Sequence, residues 1–391
     1  PLLIQALARE ATFYVTSSYI SDNKAVIYGT QTTYRDNDES IQRIARILAS
    51  ELPNTTKTYH ILEGANSTPM VETVVDAEDF IIAARNDLVA ADITSTYQRG
   101  APEQTTLDNY YTSDMSGFIY GTNLFWVQTF GSPEEFYLYQ GGINQLFGYQ
   151  FTSNLGIYGN ARATVLTNFD KFNFKVDNQP TSLPRVRTLV REYVSGSDIY
   201  LDSLFLNYNQ QYSNNLYGQF YAGHLENMYG GVGLELLHRE IDSDFAVGVD
   251  LNYVKQRDYD DRLGFLDYKT FTGHASLYWQ PKSNPDIRLT LSAGQFLAQD
   301  KGVNIDFAKR FDSGIIVGAY AAFTDVSSEE YGEGSFTKGF YLSIPFDLFV
   351  LTPAKGRGKI PWVPIARDGG QMLRRPSKLI DKTEVMSPFY N

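Results

Sequence analysis

The sequence predicts a mainly β protein, in which an antiparallel transmembrane β-barrel of about 12–14 strands follows a small α/β module. From about Ser113 onward, apolar and polar residues alternate with period two. The alternating segments run about ten to fourteen residues, which exceeds the roughly five or six of ordinary globular strands and is enough for a tilted strand to cross a bilayer. Aromatic residues make up 14% of the chain and gather near the ends of these segments, as in the girdles of membrane barrels.

Residues 1–95 are predicted to form the small α/β module. The turn-forming residues 21–23 lie between the first two strands and so predict a hairpin. Asp36 and Asp38 precede one segment whose apolar residues follow the spacing of one helix face, and Asp76 precedes another, so these residues are expected to cap helices. The four predicted strands cover Thr12–Ser18, Ala25–Thr30, Thr56–Leu62 and Met70–Val75.

Residues 96–391 are predicted to form the barrel. In Phe245–Tyr253 the odd-numbered positions are apolar and the even-numbered positions are small or polar. Because side chains two residues apart share one face of a strand, the apolar set is expected to face lipid and the other set the lumen. The same alternation occurs in Val232–Leu236, Phe271–Trp279, Ile287–Leu291 and Ile315–Phe323.

A soluble β-sandwich or a β-propeller is the alternative to a membrane barrel. A propeller requires an internal repeat of roughly forty residues, and the chain shows no such repeat. A sandwich has shorter strands and fewer aromatic residues at the strand ends. The pattern therefore favours the membrane barrel.

The composition excludes several kinds of site. The net charge of -12 argues against a nucleic-acid partner, which needs a basic surface. The absence of cysteine excludes disulfides, thiolate metal ligands and a cysteine nucleophile. The four histidines stand in no catalytic or metal-binding motif, so the sequence predicts no enzyme, no cofactor and no metal site. They are His60, His224, His238 and His274.

Residues 170–196 interrupt the alternation of the barrel. Pro184 precedes a stretch that is predicted to form a short helix, because proline is favoured in the first turn of a helix. Arg185, Arg187 and Arg191 on this stretch are candidates for a plug or a gate. The excursion could equally be a cap on one barrel end or a simple connection.

The tail from Lys355 to Lys382 reverses the charge of the chain, with eight basic residues against two acidic ones. Arg367, Arg374 and Arg375 are candidates for binding an anionic ligand, because guanidinium groups pair bidentately with phosphates and carboxylates. The alternative is a solvated loop before the last strand, which is the more common behaviour of a charged run.

Several blocks of the chain resemble one known family. The blocks are His224–Gly233, Leu251–Asp260, Thr272–His274, Phe323–Phe346 and Arg367–Gln371. In this order they are similar to the YjbH/GfcD-type exopolysaccharide and group 4 capsule biosynthesis proteins, a family of outer-membrane β-barrel lipoproteins. The N-terminal residues resemble the α/β module of that family more loosely.

The resemblance implies an outer-membrane location, a periplasmic module, and a role in secreting or assembling an extracellular or capsular polysaccharide. The expected partners are outer-membrane lipid and lipopolysaccharide, the polysaccharide, and other export proteins of the periplasm. Family members resemble two-barrel proteins with the module between the barrels. The chain lacks the lipobox cysteine of the family, so we expect it to be the C-terminal half of a longer or split protein whose first barrel is another chain or segment.

Seven residues expected to face inward are candidates for lining the lumen and contacting the polysaccharide. Polar side chains can exchange hydrogen bonds with sugar hydroxyls, and tyrosine rings can stack on pyranose faces. Alternatively, these residues pair across a filled barrel and bind nothing, and both interpretations stay open. The candidates are Glu235, Asp250, Asn252, His274, Arg288, Tyr217 and Tyr221.

The sequence thus predicts a passive polysaccharide conduit that works with other export components. The alternative is a plugged structural barrel that anchors the polysaccharide or partner proteins without transport, with residues 170–196 as the plug. A third hypothesis, an outer-membrane enzyme that modifies polymer or lipid, has no motif in its favour.

Overall fold

The computed structural model describes residues 2–21, 23–65, 68–85, 92–103, 111–112, 116–130, 135–171, 182–195, 198–260, 263–331, 336–364 and 368–389. These residues fold into a six-stranded sheet with helices, followed by a closed barrel of thirteen strands. The predicted fold class, a mainly β chain with a small α/β module before a barrel of about 12–14 strands, is confirmed. In the described ranges, no helix is both long enough and apolar enough to cross a membrane.

The N-terminal sheet is mixed. Its strands are β1 (Phe13–Ile20), β2 (Lys24–Gln31), β3 (Thr58–Ala65), β4 (Thr68–Asp76), β5 (Tyr97–Gly100) and β6 (Tyr111–Thr112). They lie in the order β5-β4-β3-β2-β1-β6, and β2 and β3 are the parallel pair. Apolar residues of three helices pack with one face of β1–β4 in a single core. The helices are α1 (Leu2–Glu10), α2 (Asn37–Glu51) and α3 (Ala77–Arg85).

Both predicted helices of the module form, with Asp36 and Asp76 at their starts, whereas the other predicted cap, Asp38, lies inside the first turn of α2. The Asp36 carboxylate accepts a hydrogen bond from the Asp38 N–H at 2.8 Å, at the start of α2. Asp76 accepts one from the Asp79 N–H at 3.0 Å, at the start of α3. Helix α1 and strands β5 and β6 were not predicted. Strands β5 and β6 belong to the N-terminal sheet although they lie beyond residue 95. The domain boundary at residue 95 stays a prediction.

Thirteen strands form the barrel, and they are antiparallel to their neighbours except at one place. The strands are β7 (Gly117–Phe130), β8 (Tyr137–Gln150), β9 (Leu155–Thr167), β10 (Ile199–Ser213), β11 (Leu216–His224), β12 (Tyr229–Arg239), β13 (Phe245–Arg257), β14 (Phe265–Trp279), β15 (Ile287–Gln295), β16 (Lys301–Arg310), β17 (Ile316–Thr324), β18 (Thr337–Pro345) and β19 (Arg357–Pro364). Three short helices are α4 (Val190–Ser195), α5 (Ser328–Tyr331) and α6 (Leu379–Lys382).

The odd strand number leaves one parallel pair, because strand directions cannot alternate all the way round the ring. Strands β19 and β7 meet in parallel, and within the described residues they pair only at Val363–Thr129 and Pro364–Phe130. By contrast, β7 pairs with β8 from Gly117 to Phe130. The junction of β19 with β7 is therefore the most sparsely paired part of the described wall.

The alternation predicted for β13 is confirmed. Val249 and Leu251 are 45% and 64% exposed on the outer face, whereas Asp250 and Asn252 are 4% and 3% exposed on the inner face. A row of large apolar side chains thus covers the outside of this strand, and polar side chains lie inside the barrel.

One end of the barrel contacts the module. Met70 of β4 packs with Tyr217 and Leu237 of the barrel, and Arg35 forms an ion pair with Asp347 at 2.7 Å. We call this the module end and the opposite one the far end.

The long connection between β9 and β10 lies at the far end. The prediction of a helix that begins near Pro184 is wrong, because α4 begins only at Val190. The backbone N–H groups of residues 186–188 instead donate hydrogen bonds to one carboxylate oxygen of Asp368, at 2.8, 2.8 and 3.0 Å. The chain before α4 therefore folds as a turn around this carboxylate.

Candidate functional site

The described residues after β19 run through the lumen of the barrel. Residues 368–389, which we call the C-terminal segment, begin at the far end, where the Gly370 N–H donates to Asp300 at 2.7 Å. They end at the module end, where Phe389 packs with Ala308 and Ile316. The prediction of a solvated loop before the last strand is therefore wrong for this part of the tail, which follows the last barrel strand and fills part of the lumen.

A buried ion-pair cluster holds the middle of the C-terminal segment. One guanidinium nitrogen of Arg375 lies 3.0 Å from a Glu235 carboxylate oxygen, and the other lies 3.4 Å from an Asp250 oxygen. Glu235 also accepts a hydrogen bond from the Leu379 N–H at 3.1 Å. The prediction that Arg375 binds an external anion is wrong, because carboxylates of β12 and β13 already match its charge.

The module-end half of the C-terminal segment is held by arginines of the barrel wall. Arg288 of β15 pairs with Glu384 at 3.0 Å. Arg239 of β12 donates hydrogen bonds to the backbone carbonyls of Ile380 at 3.1 Å and Thr383 at 2.9 Å. These donors satisfy carbonyl groups of a segment that has little regular structure of its own.

The excursion between β9 and β10 caps the far end of the filled lumen. Arg187 binds Glu226 bidentately at 2.8 and 3.0 Å and donates to the Met372 carbonyl at 2.9 Å. Arg185 and Arg191, the other two predicted gating residues, are only partly buried. Arg187 therefore ties the cap to the barrel, and a gating role for any of the three arginines stays a prediction.

A cavity of about 640 Å³ remains beside the C-terminal segment. One wall is the inner face of β8–β10, the opposite wall is the C-terminal segment, and α4 bounds the cavity toward the far end. The volume lies within the range of sites that bind small molecules. Residues that line it include Tyr158, Asn160, Arg162, Val190, Val194, Asn207, Asn209, Arg374 and Lys382.

The alternation of β9 sets the chemistry of this wall. Tyr158, Asn160 and Arg162 are two residues apart and so share the inner face of the strand. Tyr158 lies opposite Phe205 of β10, with ring centroids 5.8 Å apart. Arg162 lies 3.4 Å from the Asp202 carboxylate. The wall therefore presents an aromatic, an amide and a charged group in sequence.

Lys382 narrows the cavity toward the module end, and we call this contact the neck. Its Nζ donates hydrogen bonds to Asn207 at 2.8 Å, to Gln219 at 3.2 Å, and to Asn209. A smaller pocket of about 30 Å³ shares Lys382 and Asn209 with the cavity and touches Met70 of the module. The neck thus separates the cavity from the place where the module meets the barrel.

The seven predicted lumen residues are all buried and point inward, but none of them lines the cavity. They pack against the C-terminal segment or against one another. For example, the Tyr221 hydroxyl donates to Asn252 at 2.5 Å, and the ring of His274 meets that of Phe296 edge-on at 4.8 Å. Their contact with a polysaccharide stays a prediction.

The two other basic candidates of the tail have different locations. Arg367 lies outside the described residues, and Arg374 lines the cavity. The wall on β9 was not predicted, although its polar residues do alternate. The alternation of apolar and polar residues along β9 is weak, because small residues rather than large apolar ones occupy the outward positions between these polar residues.

The histidines lie apart from the cavity. The His60 ring lies 2.5 Å from the Glu72 carboxylate inside the module, and His238 lies 3.7 Å from Glu240 on the surface. Across the part of the chain that the structure describes, no three His, Asp or Glu side chains gather closely enough to hold a metal ion.

Two solved barrels resemble the chain distantly. OccAB4 of Acinetobacter baumannii is 12% identical with a TM-score of 0.32, and the match covers 60% of this chain and 63% of that one. OmpF of Salmonella typhi, in complex with daunomycin, is 10% identical with a TM-score of 0.33, and the match covers 59% of this chain and 85% of that one. At these TM-scores, neither likeness indicates a substrate or a mechanism.

Sequence relationships are much closer. The uncharacterized lipoprotein YjbH of Escherichia coli (strain K12) is 42% identical over 384 residues, which cover 97% of this chain and 53% of the relative. The chain therefore spans about half the length of that relative. The family model described as exopolysaccharide biosynthesis protein YbjH matches residues 2–385. From this match over nearly the whole chain, we conclude that the protein belongs to the exopolysaccharide biosynthesis protein YbjH family.

Proposed function

We propose that the chain is an outer-membrane β-barrel that takes part in the export or assembly of an extracellular polysaccharide, as a passive conduit without catalysis. The observation that carries this proposal is the cavity between β8–β10 and the C-terminal segment, which is lined by both polar and apolar side chains. Family membership supports a polysaccharide as the cargo. The large apolar side chains on the outer face of β13 support contact with lipid.

The proposed orientation puts the module in the periplasm. Outer-membrane barrels have short periplasmic turns and longer outer loops. At the module end, residues 214–215 alone connect β10 to β11, whereas residues 168–198 connect β9 to β10 at the far end. In this orientation the module faces the other periplasmic export proteins, which are its proposed partners.

In the conformation described here, the proposed conduit is closed at the neck. We propose that it opens when the C-terminal segment moves away from the β8–β10 wall. The Lys382 ammonium is held there by amide oxygens of Asn207, Asn209 and Gln219. Opening the neck therefore separates no buried ion pair among the described residues, and separating such a pair would cost far more.

A plugged barrel that anchors polysaccharide or partner proteins is the second candidate function. The ion pairs of Arg187, Arg288 and Arg375 favour it, because they fix the filling of the lumen on the β11–β15 side. In either case, the greater length of the relative supports a first barrel, formed by another segment or chain, as a further partner.

A cross-link between the C-terminal segment and the β8–β10 wall distinguishes the two functions. The chain contains no cysteine, so an Asn207→Cys/Lys382→Cys pair would react alone. The Lys382 ammonium donates to the Asn207 side chain of β10 at 2.8 Å, so a short cross-linker cleavable by reductant can join the two positions. A matched control is Ser276→Cys/Ser292→Cys, which joins two barrel strands at hydroxyls 2.8 Å apart and leaves the C-terminal segment free.

In cells that make the polysaccharide, a conduit predicts that the Asn207–Lys382 cross-link stops polymer from reaching the surface. Reduction should restore secretion, and the control pair should have no effect. If secretion continues with the segment cross-linked in place, the conduit is rejected and the anchoring barrel remains.

A further inference from the structure

Two basic groups in the cavity form no ion pair with a described residue. Five basic residues line it, and three of them pair with carboxylates, as described above. The other two, Arg374 and Lys382, have no carboxylate at ion-pair distance among the described residues. Lys382 is bound by amide oxygens at the neck, so Arg374 is the one of the five that has neither a hydrogen bond nor an ion pair with a described residue.

Arg374 lies on the C-terminal segment and is exposed within the lumen. It makes neither a hydrogen bond nor an ion pair with any other residue that the structure describes. The next residue, Arg375, points instead toward Glu235 and Asp250. A guanidinium in such a confined space favours an anion, and its planar fork fits a carboxylate in a bidentate geometry.

Across the cavity, the wall offers groups that suit sugar hydroxyls. The side-chain oxygen of Asn160 is buried and has no hydrogen-bond partner among the described residues. A buried acceptor without a donor is unfavourable, so a ligand hydroxyl would be stabilised there. The ring of Tyr158 is only partly buried, and an aromatic face of this kind packs on the apolar face of a sugar ring.

We propose that the cavity binds an acidic sugar residue, whose carboxylate pairs with Arg374 while its hydroxyls bond to Asn160. This inference rests on the proposed function and names the class of polymer, which is a polysaccharide that carries carboxylates. A neutral polymer would leave the Arg374 guanidinium without a counter-charge.

Binding to the full chain in lipid nanodiscs tests the proposal with three probes. Trigalacturonate carries carboxylates, maltotriose is a neutral trisaccharide, and inorganic phosphate is an anion without a sugar. We expect trigalacturonate to bind at least roughly tenfold more tightly than maltotriose or phosphate, with an affinity that falls as salt is added.

Variants of Arg374 test whether this residue supplies the positive charge that binds the sugar carboxylate. Arg374→Gln should weaken trigalacturonate binding by roughly tenfold or more, and Arg374→Lys, which keeps the charge without the fork, should weaken it less. The matched control is Arg9→Gln, the same substitution at a 79% exposed side chain on α1, and it should leave binding unchanged.

Four outcomes would overturn the inference. If maltotriose binds as tightly as trigalacturonate, the ligand is not specifically an acidic sugar, and if phosphate binds as tightly, the ligand need not be a sugar. If trigalacturonate does not bind, the cavity is not a site for acidic sugars. If Arg374→Gln binds trigalacturonate as tightly as the unaltered chain does, Arg374 is not the residue that pairs with the carboxylate. If that variant does not fold, the three probes on the unaltered chain still decide. The proposed function fails separately, in the secretion experiment with the cross-linked segment.

Discussion

Replacing Arg375 by methionine should loosen the C-terminal segment inside the barrel. The guanidinium of Arg375 lies between Glu235 and Asp250, and all three side chains are at most 6% exposed. Methionine has a similar length and no charge. Arg375→Met therefore leaves two carboxylates in the lumen without the cation that they face.

The expected size of the effect follows from the distances. At an effective dielectric constant of about 20, unit charges 3.0 Å apart attract by roughly 5.5 kcal/mol, and at 3.4 Å by roughly 5 kcal/mol. Desolvation offsets much of this attraction, but removing one partner of a buried pair still costs about 3–5 kcal/mol. Because Arg375 borders the cavity, water can reach the carboxylates, and we expect a loss of about 3 kcal/mol, at the lower end of that range.

Urea unfolding in lipid vesicles would measure this free energy, and current through planar bilayers would report release of the segment as more frequent open events. The control is the triple variant Arg375→Met/Glu235→Gln/Asp250→Asn, which also removes both negative charges and should regain most of the lost stability. A loss below about 1 kcal/mol, as for an exposed pair, or a triple variant no more stable than the single one, would refute the assignment of a buried ion-pair cluster.

Three further substitutions test other parts of the molecule. Arg187→Met should lower the free energy of unfolding by about 3–5 kcal/mol, because Glu226 would remain buried without its partner; urea unfolding measures this loss. Leu234→Arg puts a charge on the outer face of β12, where Leu234 is 55% exposed, and should cost about 2–4 kcal/mol in lipid vesicles. Burial raises the pKa of Glu72, but hydrogen bonds from His60 and a backbone N–H lower it below the usual value overall. Unfolding measured from about pH 7 to about pH 3 should therefore show stability lost as the pH falls through that lowered pKa. Glu72→Gln should remove this pH dependence.

Each of these substitutions has a result that would contradict its premise. Unchanged stability of Arg187→Met would mean that the Glu226 pair does not hold the cap. Unchanged stability of Leu234→Arg in vesicles would mean that this face of β12 is not in lipid. Parallel pH curves for the Glu72→Gln variant and the unaltered protein would mean that this carboxylate gains nothing from its hydrogen bonds.

The sequence predicted those elements whose structure depends on near neighbours. Helix α2 is marked by Asp36 at its start and by apolar residues that recur on one face, and the cap and that face are both found. Strand β13 is marked by large apolar residues at every second position, and these point outward. In both cases the residues that decide the structure lie within one element.

The lumen could not be predicted in the same way, because its contacts join residues far apart in the chain. Leu379 donates to Glu235, 144 residues earlier, and Asp368 accepts from the Val186 N–H, 182 residues earlier. The basic tail shows neither the helix nor the strand periodicity of apolar residues. Its position in the lumen is fixed instead by contacts with carboxylates on other strands. The same contacts explain why the predicted helix after Pro184 begins late. The cavity exists because the C-terminal segment packs against β11–β15 and leaves β8–β10 partly uncovered, which no local pattern encodes.

A spin-label scan along Phe245–Tyr253 tests most directly whether β13 lies between lipid and a filled lumen. Single cysteines would be introduced one at a time, labelled in lipid vesicles, and assayed for collision with oxygen, which concentrates in the bilayer. A membrane barrel with this filling predicts high oxygen accessibility at Val249 and Leu251, where side chains are exposed, and low accessibility at Asp250 and Asn252, where they are buried. Equal accessibility at neighbouring positions, or contact with water rather than lipid at the odd-numbered ones, would contradict it.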